Sequence, residues 1–303
     1  MLHPRARAAD CSAVSLATAA ALLLAACSSA PPPAVRVQAP LGSQSQGGEL
    51  RVLVPPSRSG AGPFPVVYFL HDLWGSDAVL WKHGVAPRLA SRMSSGEAPP
   101  VLVVAPEGDR GFWVDSWDGR RRYEQWVMTE LPAQVAARWP VRSGPRSRAY
   151  VGISMGGAGA VRMGLRNPRE TAAIVSISGL LVPLDAAFVR DARLFVRPAL
   201  RRVFGPPPRS DEDTLRRADP YRLLGAMSAA DLAAAPPLLL LAGSSDKYRL
   251  DDASALFARH AREKGLAVEL RLGAGGHDWR YWRSVTEEGI LWAARQLAEA
   301  QRS

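Results

Sequence analysis

The 303-residue chain has only two cysteines, Cys11 and Cys27, which excludes a disulfide-stapled fold and a cysteine-built zinc site. Charged residues make up only 22% of it and hydrophobic ones 47%, so the chain is too apolar to stay disordered. Its 26 Gly and 25 Pro follow no fixed period, which excludes a collagen-like or low-complexity fibre. Lysine is scarce: Lys82, Lys247 and Lys264 are the three among 38 basic residues, set against 28 acidic ones. The formal charge of +10 raises the question of nucleic acid. No basic run with interleaved aromatics answers it, and no nucleic-acid module is recognisable. The arginines come one or two at a time and read as solvated surface, so no nucleic-acid partner is expected. A length near 300 suits one large α/β domain or two small ones. No internal repeat is visible.

Long hydrophobic runs are lacking too. The apolar stretch at 13–26, interrupted only by Ser15 and Thr18, is short for a membrane-spanning helix. It follows Arg5 and Arg7 and ends in Leu24-Ala25-Ala26-Cys27. This resembles a bacterial lipobox, in which the cysteine becomes the lipidated first residue of the mature protein. Residues 1–26 therefore read as a lipoprotein signal peptide and Cys27 as the lipidation position. A mature chain of 277 residues (303 − 26) would remain, with a membrane as partner through its N-terminal lipid anchor. Ser28, not Asp, follows the cysteine. By resemblance to lipoproteins sorted in two-membrane bacteria, this implies the outer membrane of the cell envelope. Residues 27–48 contain Pro31-Pro32-Pro33 and then Gly, Ser and Gln, and read as a flexible tether with a stiff start. About twenty such residues reach up to roughly 65 Å when extended.

From residue 49 onward, short apolar runs alternate with longer amphipathic ones. Strands are expected at 50–54, 66–70, 101–105, 148–153, 172–177, 238–241 and 267–272. The run at 101–105 is continuously apolar, as a strand buried on both faces should be. Helices are expected at 123–139, 157–166, 253–264 and 281–300, with Asn167-Pro168 and Gly265 as stops. Strands alternating with helices predict an α/β fold: a mostly parallel central sheet with helices on both faces. Residues 180–237 break the rhythm with helical pieces and Pro206-Pro207-Pro208. They read as a helical insertion, either a cap near the active-site edge or a peripheral decoration.

Chemistry concentrates at three loops. Gly152-Ile153-Ser154-Met155-Gly156 fits G-x-S-x-G, with a strand entering and a helix leaving, as a nucleophile elbow requires. The flanking glycines suit a strained, tightly packed turn where a Cβ would clash. A serine hydroxyl needs a base to take its proton. After the signal peptide the chain offers His71, His83, His260 and His277. His260 lies inside an amphipathic helix, His83 has no motif, and His71 follows a strand and shapes the next loop. His277, between the last strand and the last helix, falls at the same carboxyl edge as Ser154 and is the expected base. Asp246, just after 238–241, is the expected acid; Asp251 and Asp252 are rivals, either of which could instead cap the following helix, and Asp278 reads as surface. The order Ser154, Asp246, His277 is that of the α/β-hydrolase triad. An oxyanion hole needs two donors: the Met155 N–H, and one from His71-Asp72-Leu73-Trp74-Gly75, for which Leu73 is favoured. Trp74, Trp113 and Trp117 are candidates for lining a substrate pocket. Trp279 and Trp282 read as packing beside the last helix. Asp115 and Asp118 either orient the tryptophan loop or meet substrate hydroxyls.

Taken in order, Tyr68-Phe69-Leu70-His71, Ala105-Pro106-Glu107-Gly108, Gly152 to Gly157, Gly243 to Asp246 and Gly276-His277-Asp278-Trp279 with Tyr281-Trp282 resemble one family. It is the putative-esterase family of α/β-hydrolases, which includes esterase D, feruloyl and acetylxylan esterases, enterochelin esterases and mycolyltransferases. The likeness runs from about residue 49 to the end. It implies an α/β-hydrolase fold, a triad of Ser154, Asp246 and His277, and an oxyanion hole framed by Leu73 and Met155. It implies cleavage of carboxylic esters, small-molecule or glycan, through an acyl-enzyme, with no cofactor and no metal. Transfer to an alcohol acceptor, or a non-catalytic binding role in the envelope, are the alternatives. One position departs from the family, which has Gly after the histidine of the oxyanion loop where this chain has Asp72. Asp tolerates unusual backbone angles, but its carboxylate must point away from a developing oxyanion.

Overall fold

The computed structural model describes residues 35–38, 49–56, 62–207 and 210–302, the first of these by backbone pairing alone. The stretch read as a signal peptide, Cys27 and most of the stretch read as a tether lie outside the described residues. Eight strands among the described residues form one sheet: β1 (Val35–Gln38), β2 (Glu49–Leu53), β3 (Val66–Leu70), β4 (Leu102–Pro106), β5 (Arg148–Ile153), β6 (Thr171–Ile177), β7 (Leu238–Gly243) and β8 (Val268–Gly273). Their order across the sheet is β1-β2-β4-β3-β5-β6-β7-β8. Strands β4, β3, β5, β6, β7 and β8 run parallel; β1 and β2 join antiparallel at one edge. This is the α/β-hydrolase fold. Strand β1 lies within the stretch read as a tether, so four of those residues belong to the sheet instead.

The parallel strands form because their residues are apolar without interruption. VVYFL in β3, LVVAP in β4 and LLLLAG in β7 are buried along their whole length. Alternation assigns the faces: Val66, Tyr68 and Leu70 of β3 join one core, Val67 and Phe69 the other. Strand β8 is half-exposed, as an edge strand is.

Helices cover both faces. Helix α1 (Val79–Lys82) and α2 (Val85–Ser94) follow β3; α3 (Tyr123–Gln125) continues through a π-helical turn (Trp126–Glu130) into α4 (Leu131–Ala136); α5 (Met155–Arg166) follows β5. Five short helices, α6 (Ala186–Arg190), α7 (Arg197–Phe204), α8 (Glu212–Ala218), α9 (Pro220–Ala226) and α10 (Ala229–Ala233), fill the insertion between β6 and β7. Helices α11 (Leu250–Glu263) and α12 (Trp279–Glu299) close the chain. Asp185, Asp211, Asp219 and Ser228 each accept a backbone N–H at the start of an insertion helix, which explains how such short helices hold their ends. Among the described residues no helix is long and apolar enough to cross a membrane.

Helix α5 sets the position of everything that follows. Its sequence, MGGAGAVRMGLR, is mostly small, and it packs so close to the sheet that nearly every residue is buried. A Cβ on Gly164 would lie 2.3 Å from Ile174, and one on Gly156 only 2.0 Å from the Leu70 carbonyl oxygen. The second contact is backbone against backbone, so neither side can yield. Gly156→Ala is therefore expected to destabilise the protein by about 3 kcal/mol or more in urea unfolding, the upper range for overpacking a core.

Candidate active site

Ser154 caps β5 at φ 55° and ψ −113°, a left-handed conformation that a non-glycine residue holds only when its surroundings enforce it. They do so through the backbone. Ser154 N–H donates to the Ile177 carbonyl (2.8 Å), and the Ser154 carbonyl accepts from Leu180 and Ala158 N–H (both 3.2 Å). A Cβ on Gly152 would lie 2.1 Å from the Gly156 carbonyl oxygen, so the two glycines of the motif meet each other across the turn.

The loops after β7 and β8 are zipped together. Ser244 N–H donates to the Gly273 carbonyl (2.8 Å) and Ser245 N–H to the Gly275 carbonyl (2.9 Å). Gly243 permits this approach, since its Cβ would fall 2.4 Å from Gly275 O. The result brings Asp246 and His277, 31 positions apart in the chain, to 2.7 Å between Oδ2 and Nδ1. The Asp246 side chain is fully buried; its Oδ1 accepts the Tyr248 N–H at 2.8 Å. On the other side of the ring, His277 Nε2 lies 3.0 Å from Ser154 Oγ. A carboxylate at Nδ1 holds the proton there, which leaves the Nε2 lone pair facing the serine hydroxyl. Tyr248 and Trp282 meet the imidazole edge-on, with centroids 4.9 and 4.7 Å away. Trp282 is itself pinned, its Nε1–H donating to Ser178 Oγ at 3.1 Å.

The rivals are placed elsewhere. Asp251 and Asp252 lie in the first turn of α11, where Asp252 pairs with Arg249, and Asp278 caps α12 by accepting the Arg280 N–H. His260 faces Tyr221 and Glu263, and His83 stacks on Trp279 at 3.9 Å. Among the described residues no group of three His, Cys, Asp or Glu is placed to hold a metal ion.

The loop expected to supply an oxyanion donor is built around His71, which is 1% exposed. Gly108 N–H donates to its Nε2 at 2.9 Å. Glu107 Oε1 stands 3.2 Å from the same nitrogen, but the fixed direction of the backbone N–H makes Nε2 the acceptor. The proton therefore sits on Nδ1, which donates to the Asp72 carbonyl at 2.7 Å. That carbonyl and the Leu73 N–H belong to one planar trans peptide and point in opposite directions. Fixing the first aims the second. Neither the Leu73 nor the Met155 N–H donates to another protein group among the described residues, and Met155 opens α5, where the helix dipole favours negative charge. Asp72 turns its carboxylate onto its own loop, with Oδ2 accepting the Trp74 N–H at 3.2 Å.

The three tryptophans separate. Trp113 is wholly buried, against the expectation that it lines a pocket. Its Nε1–H donates to the His71 carbonyl at 3.1 Å, and glycines 108 and 159 leave room for its ring. It is a strut under the oxyanion loop. Trp74 and Trp117 are exposed, at 56% and 47%. Trp74 lies 6.4 Å from Phe195 of the insertion, and Trp117 N–H donates to Val203 O of α7. The insertion thus reaches the loops at the carboxyl edge. Asp115 accepts the N–H groups of Glu124 and Gln125, and Asp118 accepts the Ser116 hydroxyl and the Arg120 N–H; both organise their own loop.

Arg162 completes the support. It is buried in α5 and donates to the carbonyls of Phe112 (2.7 Å) and Trp113 (3.1 Å), two residues held at positive φ. Burial pulls its pKa down from the ordinary guanidinium value, while Glu124 beside it works the other way. An arginine in the middle of an otherwise small and apolar helix, a turn before the one that ends it, is the available signal for it. Tyr248, two residues beyond Asp246, carries no such signal, and Trp282, expected only as packing, proves to pack against His277 itself.

Residues 43–289 match the profile of the family described as "Putative esterase". The chain belongs to this esterase family. It is a carboxylic ester hydrolase. An acetyl esterase of Caldicellulosiruptor saccharolyticus is 24% identical over 199 residues, 64% of this chain and 72% of that one. Among solved structures, a ferulic acid esterase superposes with a TM-score of 0.69 at 22% identity, covering 88% of the present esterase and 97% of the other. A fluorophosphonate-binding serine hydrolase of Staphylococcus aureus gives 0.69 at 20% identity, covering 86% and 97%. These likenesses show the fold.

For the esterase, His71→Phe keeps the ring and removes both of its hydrogen bonds. The expected outcome is a kcat on short-chain esters lower by about tenfold or more with KM little changed, measured by steady-state kinetics beside a circular dichroism control, in keeping with the worth of one oxyanion donor.

Proposed function

We propose that this esterase works through an acyl-enzyme formed on Ser154. His277 Nε2 takes the hydroxyl proton as Oγ attacks the ester carbonyl. Asp246, buried and hydrogen-bonded to Nδ1, keeps the tautomer and stabilises the imidazolium. The Leu73 and Met155 N–H groups receive the developing oxyanion. The C–O bond to the alcohol then breaks, and His277 returns its proton to the leaving alkoxide. Water follows the same route in reverse: His277 takes its proton as the oxygen attacks the acyl carbon, and the acyl–Oγ bond then breaks as His277 returns the proton to Ser154 Oγ, releasing the acid. The observation that carries the reading is the chain of two contacts, 3.0 Å from Ser154 Oγ to Nε2 and 2.7 Å from Nδ1 to Asp246.

The site is proposed to operate in the cell envelope, tethered to the outer membrane through a lipid on Cys27. The support for this is the Leu24-Ala25-Ala26-Cys27 sequence and the Ser28 that follows it.

Ser154→Ala should lower turnover of short-chain para-nitrophenyl esters by roughly 10⁴-fold or more and abolish labelling by a fluorophosphonate, with the unfolding transition unchanged. A folded Ala variant with wild-type turnover would refute the mechanism.

A further inference from the structure

Two cations converge on one ring beside the triad. The Arg193 guanidinium, from the insertion, lies 5.0 Å from the Tyr248 centroid, and Lys247 Nζ lies 5.1 Å from the same centroid. Tyr248 in turn meets His277 edge-on at 4.9 Å. A third cation, Arg110, stands 4.2 Å over Trp74 in the oxyanion loop. None of the three has a carboxylate partner among the described residues. Four acids on neighbouring segments are engaged elsewhere: Asp109 with Arg121 and Arg202, Asp191 with Arg190, Asp252 with Arg249, and Asp246 with His277. Attraction to the ring holds Arg193 and Lys247 in place, but each repels the other. An anion at this rim would be attracted by both.

The same rim is apolar. Trp74, Trp117, Leu194 and Phe195 are four of the six large hydrophobic side chains exposed among the described residues, with Leu194 exposed to 78%. Arg193, Leu194 and Phe195 are consecutive, so one loop of the insertion supplies both a cation and an apolar face. A soluble surface rarely gathers such residues without a ligand for them. Aromatic faces next to unneutralised positive charge suit a molecule with an apolar body and an acidic group.

We propose that the esterase takes anionic esters. The substrate's acidic group is held by Arg193 and Lys247, and its aromatic or apolar body lies against Trp74 and Phe195. Arg110 adds to the field that draws it in. The reaction is the hydrolysis already described, so the inference rests on that reading of Ser154 and His277; the cations determine which esters arrive and how tightly. Because all three are solvated, their effect is expected to weaken as salt rises.

The test compares the full-length wild type with Arg193→Gln/Lys247→Gln on two matched substrate pairs. One pair carries the charge on the alcohol half: para-acetoxybenzoate against para-acetoxybenzamide. The other carries it on the acyl half: the para-nitrophenyl monoester of suberic acid against para-nitrophenyl octanoate. The readout is the anionic-to-neutral ratio of kcat/KM, in which leaving-group differences cancel between the two proteins. In at least one pair the double variant should lower this ratio about fivefold, and about 0.5 M salt should lower the wild-type ratio likewise, as expected for two exposed charges acting together. The inference falls if neutral esters are cleaved but both ratios stay within about twofold between the two proteins at low salt, where such charges act most strongly. A wild type that neither cleaves neutral esters nor reacts with a fluorophosphonate would instead overturn the triad reading, and this inference with it.

Discussion

A buried carboxylate 2.7 Å from an imidazole nitrogen is the interaction around which this molecule is organised. Asp246 is fully enclosed, and a buried charge is tolerable only when its oxygens are occupied. Here one oxygen meets His277 and the other a backbone N–H. The pairing works because the loops after β7 and β8 share backbone hydrogen bonds, which a side chain at Gly243 would push apart. The edge contacts of Tyr248 and Trp282 then leave the ring few orientations other than the one that faces Ser154. A parallel sheet supplies the reason that these loops share an edge at all: every βα connection starts from the carboxyl ends of the strands.

Opposite that pair stands a second rigid assembly. The elbow keeps Ser154 in a backbone conformation costing of order 1–3 kcal/mol, offset by the packing of a glycine-lined helix against β3 and β6. The oxyanion loop is braced by a chain of buried contacts running from Arg162 through the Phe112 and Trp113 carbonyls, then through the Trp113 indole to His71, and from His71 to the Asp72 peptide. Helix α5 therefore carries the proposed nucleophile, Ser154, at its start and, two turns along, an arginine that steadies the loop of the proposed oxyanion donor. Asp72 fits this frame because its carboxylate bonds within its own turn, where it accepts the Trp74 N–H.

Much of this was legible in the sequence, for physical reasons that differ from element to element. Continuous apolar runs identify buried parallel strands, so β4, β5, β6 and β7 could be placed to within a residue or two. The glycines flanking Ser154 and the position of His277 between a strand and a helix pointed to the two partners now found 3.0 Å apart. Trp113 was misjudged because a large aromatic in a loop reads alike whether it faces substrate or supports the loop from beneath; only the fold distinguishes them. Strand β1 was missed because four residues in a stretch rich in Pro, Ser and Gln give too short a pattern, and an edge strand needs its neighbour to declare it. The short helices α1 and α2 were also passed over. Convergence of Arg193 and Lys247 on Tyr248 depends on how the insertion folds back, which no local pattern encodes.

The rim bordered by that insertion carries the residues from which a substrate preference is inferred, while the proposed triad and its supports account for the proposed chemistry. The most direct measurement of the central claim is rapid-quench mass spectrometry during turnover of a slow ester. The account predicts one acyl group per chain, added to the peptide that carries Ser154 and lost on further incubation. Full turnover with the acyl group found on another peptide, or on none, would contradict it.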